Sequence, residues 1–276
     1  MDRRTPEANP MPRFAANVST LFTELPLLER IDAAADAGFT AIEFQAPYEA
    51  PADAIASRVE AGGLKVVLLN APNGTRPGDQ GLGGVPGREA DYWANFETAM
   101  SYARALGAAN LRIISGRAAA GADREAMLQT LAENLRRAAP VAAAAGVTLL
   151  LEPLNATDVP GYLLPNIATA LGVIDQVGHP NVSLQLDFYH LQMTGGDLAG
   201  HAARLIGRYA HVQISNAPGR REPGVGEIDY RFLFDHLDRI GYGGWIGCEY
   251  FPATDTGSSL AWAAPWGIHA HSRGPA

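Results

Sequence analysis

The chain has 276 residues, a formal net charge of −8 and 47% hydrophobic against 18% charged residues. This composition is typical of a folded globular protein and excludes an intrinsically disordered chain. Because acids outnumber bases and no basic cluster occurs, we expect no nucleic acid among its partners. The single cysteine, Cys248, excludes an intrachain disulfide and favours a reducing compartment, so we expect a cytoplasmic protein.

Residues 1–12 are predicted to form a disordered leader, and residues 13–276 a single domain. The opening MDRRTPEANPMPR combines charges with prolines and lacks the apolar segment of a secretory signal. The longest nearly apolar run, Val141 to Leu151, is much shorter than the roughly 20 residues that span a bilayer. We therefore expect no membrane association.

Eight short runs rich in Val, Ile, Leu and Phe predict strands separated by helices. The runs begin near Phe14, Ala41, Lys65, Asn110, Thr148, Val182, Ala210 and Trp245. The segments between them show helical spacing of apolar residues, as in Leu128, Leu131 and Leu135, and several end in glycine, the usual residue after a helix. Eight βα units of about 33 residues predict an α/β fold, a single (β/α)8 TIM barrel. An open doubly wound sheet is the alternative, but no GxGxxG follows the first strand.

One connection is longer than the others and rich in glycine and proline. It runs from Ala71 to Arg88, directly after the third predicted strand, and lacks the Lys-Ser/Thr of a phosphate-binding loop. In a barrel it would lie over the catalytic face, so we interpret it as an active-site lid.

Polar side chains stand at the C-terminal ends of the predicted strands, where a barrel carries its active site. In chain order these residues are Glu43, Asn70, Glu152, Asp187, Gln213 and Glu249. Carboxylates that converge in a buried site repel one another unless a cation compensates their charge. The alternative is that each acid accepts backbone N–H bonds or pairs with an arginine of its own loop. A shared divalent metal is the simplest compensation, and hard oxygen donors favour Mg²⁺ or Mn²⁺ over Zn²⁺.

Two of the seven histidines are predicted to approach the barrel interior. His211 precedes Gln213 by two residues, and we interpret it as a hydrogen-bonded core residue. His190 lies three residues after Asp187, where it can reach a substrate oxygen.

Four segments resemble the hydroxypyruvate isomerase branch of the xylose-isomerase-like barrels. They are LLLEPLN, LQLDFYH, HVQISNAPGRREPGVGEIDY and GCEYFP, in this order, and the opening segment with Glu43 is similar to the same branch. The resemblance covers Pro12 to Ile268. It implies a metal held by Glu152, Asp187, Gln213 and Glu249, with Glu152 and Glu249 as the acid/base pair. Ketose 3-epimerases of the superfamily usually carry histidine where this chain has Gln213, which argues against an epimerase.

The resemblance implies a metal-dependent aldose–ketose isomerase that interconverts hydroxypyruvate and tartronate semialdehyde through an enediolate. Proteins acting on four-carbon 2-oxo acids are similar, and that substrate stays open. A small anionic 2-oxo acid needs a cation, and we expect Arg220 to bind its carboxylate bidentately. Arg221 is expected to be a solvated surface charge. Arg112 is either a second anion contact or a partner for a barrel acid.

His190, Arg220, Glu43 and Asn70 are thus the expected substrate-binding residues. Two functions of other classes are weighed against the isomerase: a nuclease, which the charge of −8 and the few histidines disfavour, and a noncatalytic sugar-acid-binding protein. The sequence allows a homo-oligomer without indicating its size.

Overall fold

Within residues 12–269, which the computed structural model describes, eight parallel strands close into a barrel. The strands are β1 (Arg13–Asn17), β2 (Ala41–Phe44), β3 (Lys65–Asn70), β4 (Asn110–Arg112), β5 (Thr148–Leu151), β6 (Val182–Asp187), β7 (Tyr209–Ile214) and β8 (Trp245–Cys248). Each strand pairs with the next, and β1 pairs with β8 to complete the ring. The predicted (β/α)8 barrel is confirmed, and each predicted strand start lies within one residue of the observed one. The expected leader falls almost wholly on residues 1–11, outside the described residues.

Helices alternate with the strands and cover the outside of the barrel. They are α1 (Leu27–Asp36), α2 (Ala52–Ala61), α3 (Glu89–Leu106), α4 (Arg124–Ala144), α5 (Ile167–Val177), α6 (Phe188–Thr194), α7 (Leu198–Arg204), α8 (Tyr230–Arg239) and α9 (Thr256–Ser259), followed by a 3₁₀ helix over Ala261–Trp266. In the described chain no helix is both long and apolar enough to cross a membrane.

The longest helix, α4, shows how the sequence dictates these elements. Asp123 begins it by accepting a hydrogen bond from the backbone N–H of Ala126, which satisfies one of the free donors of the first turn. Leu131 and Leu135 are fully buried on the face that meets the barrel. Amphipathic spacing therefore turns each helix toward the sheet and leaves the strand ends free to build a site.

The connection between β3 and α3 is packed at one end and exposed at the other. The backbone N–H groups of Gly83 and Gly84 donate to the carbonyls of Ile114 and Ser115, at 3.0 and 2.7 Å. Residues 81–84 are buried, whereas residues 75–78 are exposed. The second half of the loop that the sequence suggested as a lid is therefore anchored to the chain that follows β4.

Candidate active site

A cavity of about 550 Å³ opens at the C-terminal end of the barrel. Its wall includes Asn70, Arg112, Glu152, His190, Arg220 and Glu249, which come from six successive strand ends or the loops after them. Asn73 and Gln80 of the β3–α3 connection also line it. The cavity thus lies where the strand-end residues predicted an active site.

Two carboxylates stand at the ends of neighbouring strands here, and one of them, Glu152, lines the cavity. Glu152 directly follows β5 and is 1% exposed, and Asp187 is the last residue of β6 and 3% exposed. Asp187 also begins α6, because its Oδ1 accepts a hydrogen bond from the N–H of Tyr189 at 2.8 Å. This capping contact orients the carboxylate and places His190 in the first turn of the helix. Glu152, Asp187 and His190 form a buried group whose ligand atoms lie within 4.8 Å of one another, a group that can hold a metal ion.

Two arginines meet the charge of the strand-end acids. Arg112, the last residue of β4, lies 2.7 Å from Glu152 (Nε to Oε2). Arg220, in the loop after β7, contacts two carboxylates through the same Nη2 atom, Asp187 at 2.9 Å and Glu249 at 2.7 Å. The sequence left two roles open for Arg112, a second anion contact or a partner for a barrel acid, and the structure shows Arg112 as the partner of Glu152. With all three carboxylates ionised, the two guanidinium groups leave a charge of −1, so arginine pairing compensates most of the charge that the sequence alone assigned to a metal.

Arg220 is held in place by its backbone as well as its side chain. Its φ of 54° lies in the left-handed region, and its carbonyl accepts a 2.7 Å hydrogen bond from the N–H of Phe251, beyond β8. Its guanidinium also lies 4.9 Å from the ring of Tyr189. The neighbouring Arg221 donates to the carbonyls of Phe251 and Pro252. Arg221 is therefore half-buried and ties two loops together, and the expectation of a solvated charge is wrong for this side chain.

His190 and Glu249 each have a partner that the sequence reasoning did not single out. The backbone N–H and the side-chain Nδ2 of Asn155 lie 3.2 and 2.8 Å from Nδ1 of His190. Gln45 donates from Nε2 to Oε1 of Glu249. Gln45 follows Glu43 by two residues, so the two-residue period of a strand was the available signal. Asn155 lies within the EPLN motif, but its contact with another loop left no mark in the sequence.

A second polar layer lies beneath the cavity, inside the barrel. Glu43 is fully buried and accepts hydrogen bonds from Asn17, Gln213 and His211 at 2.9, 2.7 and 2.6 Å. Gln213 is 1% exposed, and its Oε1 accepts from Nε2 of Gln185. His211 is the buried, hydrogen-bonded core histidine that we expected.

Burial and neighbouring charges shift the protonation of the site in two directions. Burial raises the pKa of Glu152, and Glu249 and Asp187 raise it further, although Arg112 opposes them. Burial also raises the pKa of Asp187, against the opposing charge of Arg220. The pKa of His190 lies well below its usual value because the ring is buried and faces Arg220 and Arg112. His190 is therefore neutral at neutral pH, and Glu152 binds a proton more readily than a solvated glutamate does.

The donor set fits a hard divalent cation. Oε1 of Glu152 is buried and has no hydrogen-bond partner within residues 12–269, so one carboxylate lone-pair site is unused. The β6–β7 register pairs Asp187 with Gln213, so a carboxylate and an amide occupy neighbouring positions on adjacent strands. Carboxylate and amide oxygens are ligands that Mg²⁺ and Mn²⁺ accept.

Comparison with known proteins agrees with this architecture. The family model of the xylose isomerase-like TIM barrel matches residues 31–266. A 2-oxo-tetronate isomerase of Pectobacterium atrosepticum is 43% identical over 257 residues, covering 93% of this chain and 98% of that protein. The hydroxypyruvate isomerase of Escherichia coli is 38% identical over 257 residues, covering 93% of this chain and 100% of that protein.

A solved structure from Brucella melitensis, of a protein named AP endonuclease, family 2, superposes with a TM-score of 0.90. It is 45% identical and covers 93% of this chain and 99% of its own. The 3-keto-D-glucoside 4-epimerase of E. coli, with a TM-score of 0.77 and 20% identity over 91% of this chain and 98% of its own, shares the fold. The chain therefore belongs to the xylose isomerase-like TIM barrel family and is an isomerase of that family.

Proposed function

We propose that the protein isomerises a small anionic 2-oxo acid, interconverting hydroxypyruvate and tartronate semialdehyde. The observation that carries the proposal is the cavity in which Glu152 and Glu249 share a wall with His190 and three arginines. Relatives named hydroxypyruvate isomerase and 2-oxo-tetronate isomerase, 38% and 43% identical over 93% of the chain, support it. Because some relatives are named 2-oxo-tetronate isomerase, a four-carbon 2-oxo acid is the second candidate substrate.

Glu152, Asp187, Gln213 and Glu249 are the proposed ligands of a Mg²⁺ or Mn²⁺ ion. The unpartnered Oε1 of Glu152 and the adjacency of Asp187 and Gln213 support this set. When bound, the ion would polarise the adjacent carbonyl and hydroxyl oxygens of the substrate and so acidify the intervening C–H.

Glu152 and Glu249 are the proposed acid/base pair. Isomerisation removes a proton from the hydroxyl-bearing carbon, passes through an enediolate, and returns a proton to the neighbouring carbon, so no external oxidant is needed. In the metal-free protein, burial raises the pKa of Glu152, so this carboxyl binds a proton more readily than a solvated glutamate does. Glu249, held by Gln45 and Arg220, would face the substrate from β8.

His190 is proposed to form a hydrogen bond with the reacting oxygen. Both donors of Asn155 point at its Nδ1, and Nη1 of Arg220 lies 3.1 Å from its Nε2, so hydrogen-bond donors face both ring nitrogens. Its place on the cavity wall next to Arg220 supports a substrate contact, although His190 also lies within reach of the two carboxylates.

Charge favours an anionic substrate. The three carboxylates and two arginines carry −1, and a divalent cation would bring this group to +1, which one substrate carboxylate would neutralise. Arg220 is the proposed carboxylate contact, and Asn70 lines the same cavity. Arg117 is a further cation on the wall, exposed and without an ion pair in the described part of the chain.

The test is a substrate panel on protein freed of metal and reloaded with Mn²⁺. Hydroxypyruvate, a four-carbon 2-oxo acid and a neutral ketose are compared by NMR for product and for deuterium exchange at the reacting carbon. We expect metal-dependent turnover of the acids. Preferred turnover of the ketose would indicate an epimerase. Binding of an acid without turnover would indicate a sugar-acid-binding protein, and metal-dependent nicking of a plasmid would indicate a nuclease.

A further inference from the structure

Glu43 is a buried carboxylate that the proposed chemistry does not use. It is fully buried in β2, beneath the cavity, and its contacts are with side chains of β1 and β7. The sequence suggested a substrate contact for Glu43. Its position among Asn17, His211 and Gln213 points to another task.

Glu43 determines the orientation of the Gln213 amide, because it fixes which of the two ends, nitrogen or oxygen, faces Glu43. A carboxylate accepts hydrogen bonds and donates none, so the amide end that meets Glu43 Oε1 at 2.7 Å must be Nε2. Oε1 of Gln213 then lies at the opposite end, where it accepts from Gln185 and keeps a second lone pair. A reversed amide would set a carbonyl oxygen against a buried carboxylate, leaving two acceptors in contact and a donor unpaired.

Glu43 is itself held from several sides. Asn17 donates to its Oε1. Nδ1 of His211 has no partner within residues 12–269, so the ring proton lies on Nε2 and donates to Oε2 of Glu43. On β8, a Cβ at Gly247 would lie 2.2 Å from the same Oε2, so this strand leaves room for the carboxylate only as glycine. The carboxylate therefore occupies one position.

We infer that Glu43 is a positioning residue that presents Gln213 as an oxygen ligand of the divalent cation. The inference rests on the proposed function for the identity of the metal ligands. It accounts for a glutamine among the proposed metal ligands. An amide has one oxygen end and one nitrogen end, and a hydrogen-bond acceptor that holds the nitrogen end leaves the oxygen for the ion.

The experiment measures Mn²⁺ affinity of metal-free protein by electron paramagnetic resonance, together with the melting temperature. Glu43→Asp keeps the charge but withdraws the carboxylate from Gln213, and we expect Kd to rise at least tenfold. The exchange variant, Glu43→Gln with Gln213→Glu, reverses the hydrogen bond and offers the ion an oxygen at either end, so we expect recovery to within threefold of wild type. The control is Val212→Ala, a fully buried neighbour of Gln213, which should lower the melting temperature without changing Kd.

A folded Glu43→Asp variant with wild-type Kd would overturn the inference, because this substitution removes the contact with Gln213 and keeps the negative charge. If that variant fails to fold, the exchange variant decides alone: wild-type-like affinity supports the role, and a folded protein without affinity overturns it. Turnover of hydroxypyruvate is measured on the same samples. Wild-type protein that binds Mn²⁺ with this dependence on Glu43 but turns over no 2-oxo acid would reject the proposed function alone, and wild-type protein that binds no Mn²⁺ would reject the positioning role.

Discussion

At the scale of single residues, the site separates groups that are chemically alike by giving them different partners. Glu152 pairs with an arginine of a neighbouring strand, whereas Glu249 is held by Gln45 and an arginine from a loop. Arg220 bridges two acids, and Arg221 binds backbone carbonyls. Function at this scale therefore depends on the partner and less on the residue type.

Glu249→Gln tests the proposed base. The change keeps the size and one oxygen donor but removes proton transfer, so kcat on a 2-oxo acid should fall by about 100-fold or more with the metal bound. Bound Mn²⁺ is measured in parallel. Glu227→Gln, on the surface, is the control and should keep wild-type kcat. Near-wild-type kcat in Glu249→Gln would restrict Glu249 to ligation.

Arg220→Ala tests recognition of the substrate carboxylate. Leaving that carboxylate unpaired should cost roughly 2 kcal/mol or more, about thirtyfold in kcat/KM on a 2-oxo acid, and much less on a neutral ketose. Arg220→Lys should recover part of the loss, because an ammonium lacks the planar pair of donors. Arg221→Ala should change the ratio between the two substrates little. Equal losses on both substrates in Arg220→Ala would assign Arg220 to supporting Asp187 and Glu249, and Arg117 would be the next anion contact to test.

At the scale of elements, loops are positioned by close backbone contacts that glycine permits. Gly81 has φ +98°, and a Cβ there would lie 2.4 Å from Cγ2 and 2.7 Å from the carbonyl oxygen of Ile114. Gly78 has φ +86° and nothing within 4 Å of a Cβ. Both positions favour glycine by backbone conformation, and only Gly81 requires it for packing.

Gly81→Ala should therefore lower the free energy of unfolding more than Gly78→Ala. Backbone strain costs each variant roughly 1 kcal/mol, and the clash with Ile114 should add about 2 kcal/mol at Gly81. Urea unfolding of both variants measures the difference. Equal losses would mean that this segment moves aside at little cost, as a lid would.

At the scale of the whole molecule, the barrel brings acids from β5, β6 and β8 to one end, where two arginines compensate all but one of their three charges. A cation that binds there, and does not bind the unfolded chain, stabilises the native state. The site and the stability of the protein are thus linked.

Removing the metal should lower the melting temperature. At a metal concentration 100-fold above Kd, binding adds about 2.7 kcal/mol, which corresponds to ~5–10 °C for a chain of this size. Differential scanning fluorimetry with chelator, and after readdition of Mn²⁺ or Mg²⁺, measures the shift. The Glu152→Gln variant should show a smaller shift in melting temperature. An unchanged melting temperature on readdition would contradict a metal site at these carboxylates.

The metal-free protein should lose stability as pH rises from 7 to 8.5. The folded-state pKa of Glu152 is above its unfolded value of about 4.3. Its contribution to stability is complete below the unfolded pKa and is lost as pH rises through the folded pKa, by at most about 1.4 kcal/mol per pH unit. His190, whose pKa is lowered, titrates below this range. The free energy of unfolding in urea, measured at several pH values, should fall less steeply with pH in Glu152→Gln than in wild type. Equal slopes in the two proteins would contradict the raised pKa of Glu152.

The amino-acid sequence by itself determined the barrel, its strand starts and the strand-end position of Glu152, Asp187 and Glu249. These features follow from local periodicity, since buried strands, amphipathic helices and glycine caps each leave their own pattern in the chain. Only the tertiary structure decided that Arg112 pairs with Glu152, that Arg220 bridges Asp187 and Glu249, and that Glu43 lies beneath the cavity against Gln213. Such contacts join residues up to 170 positions apart. Their geometry depends on strand register and loop conformation, which no local pattern encodes.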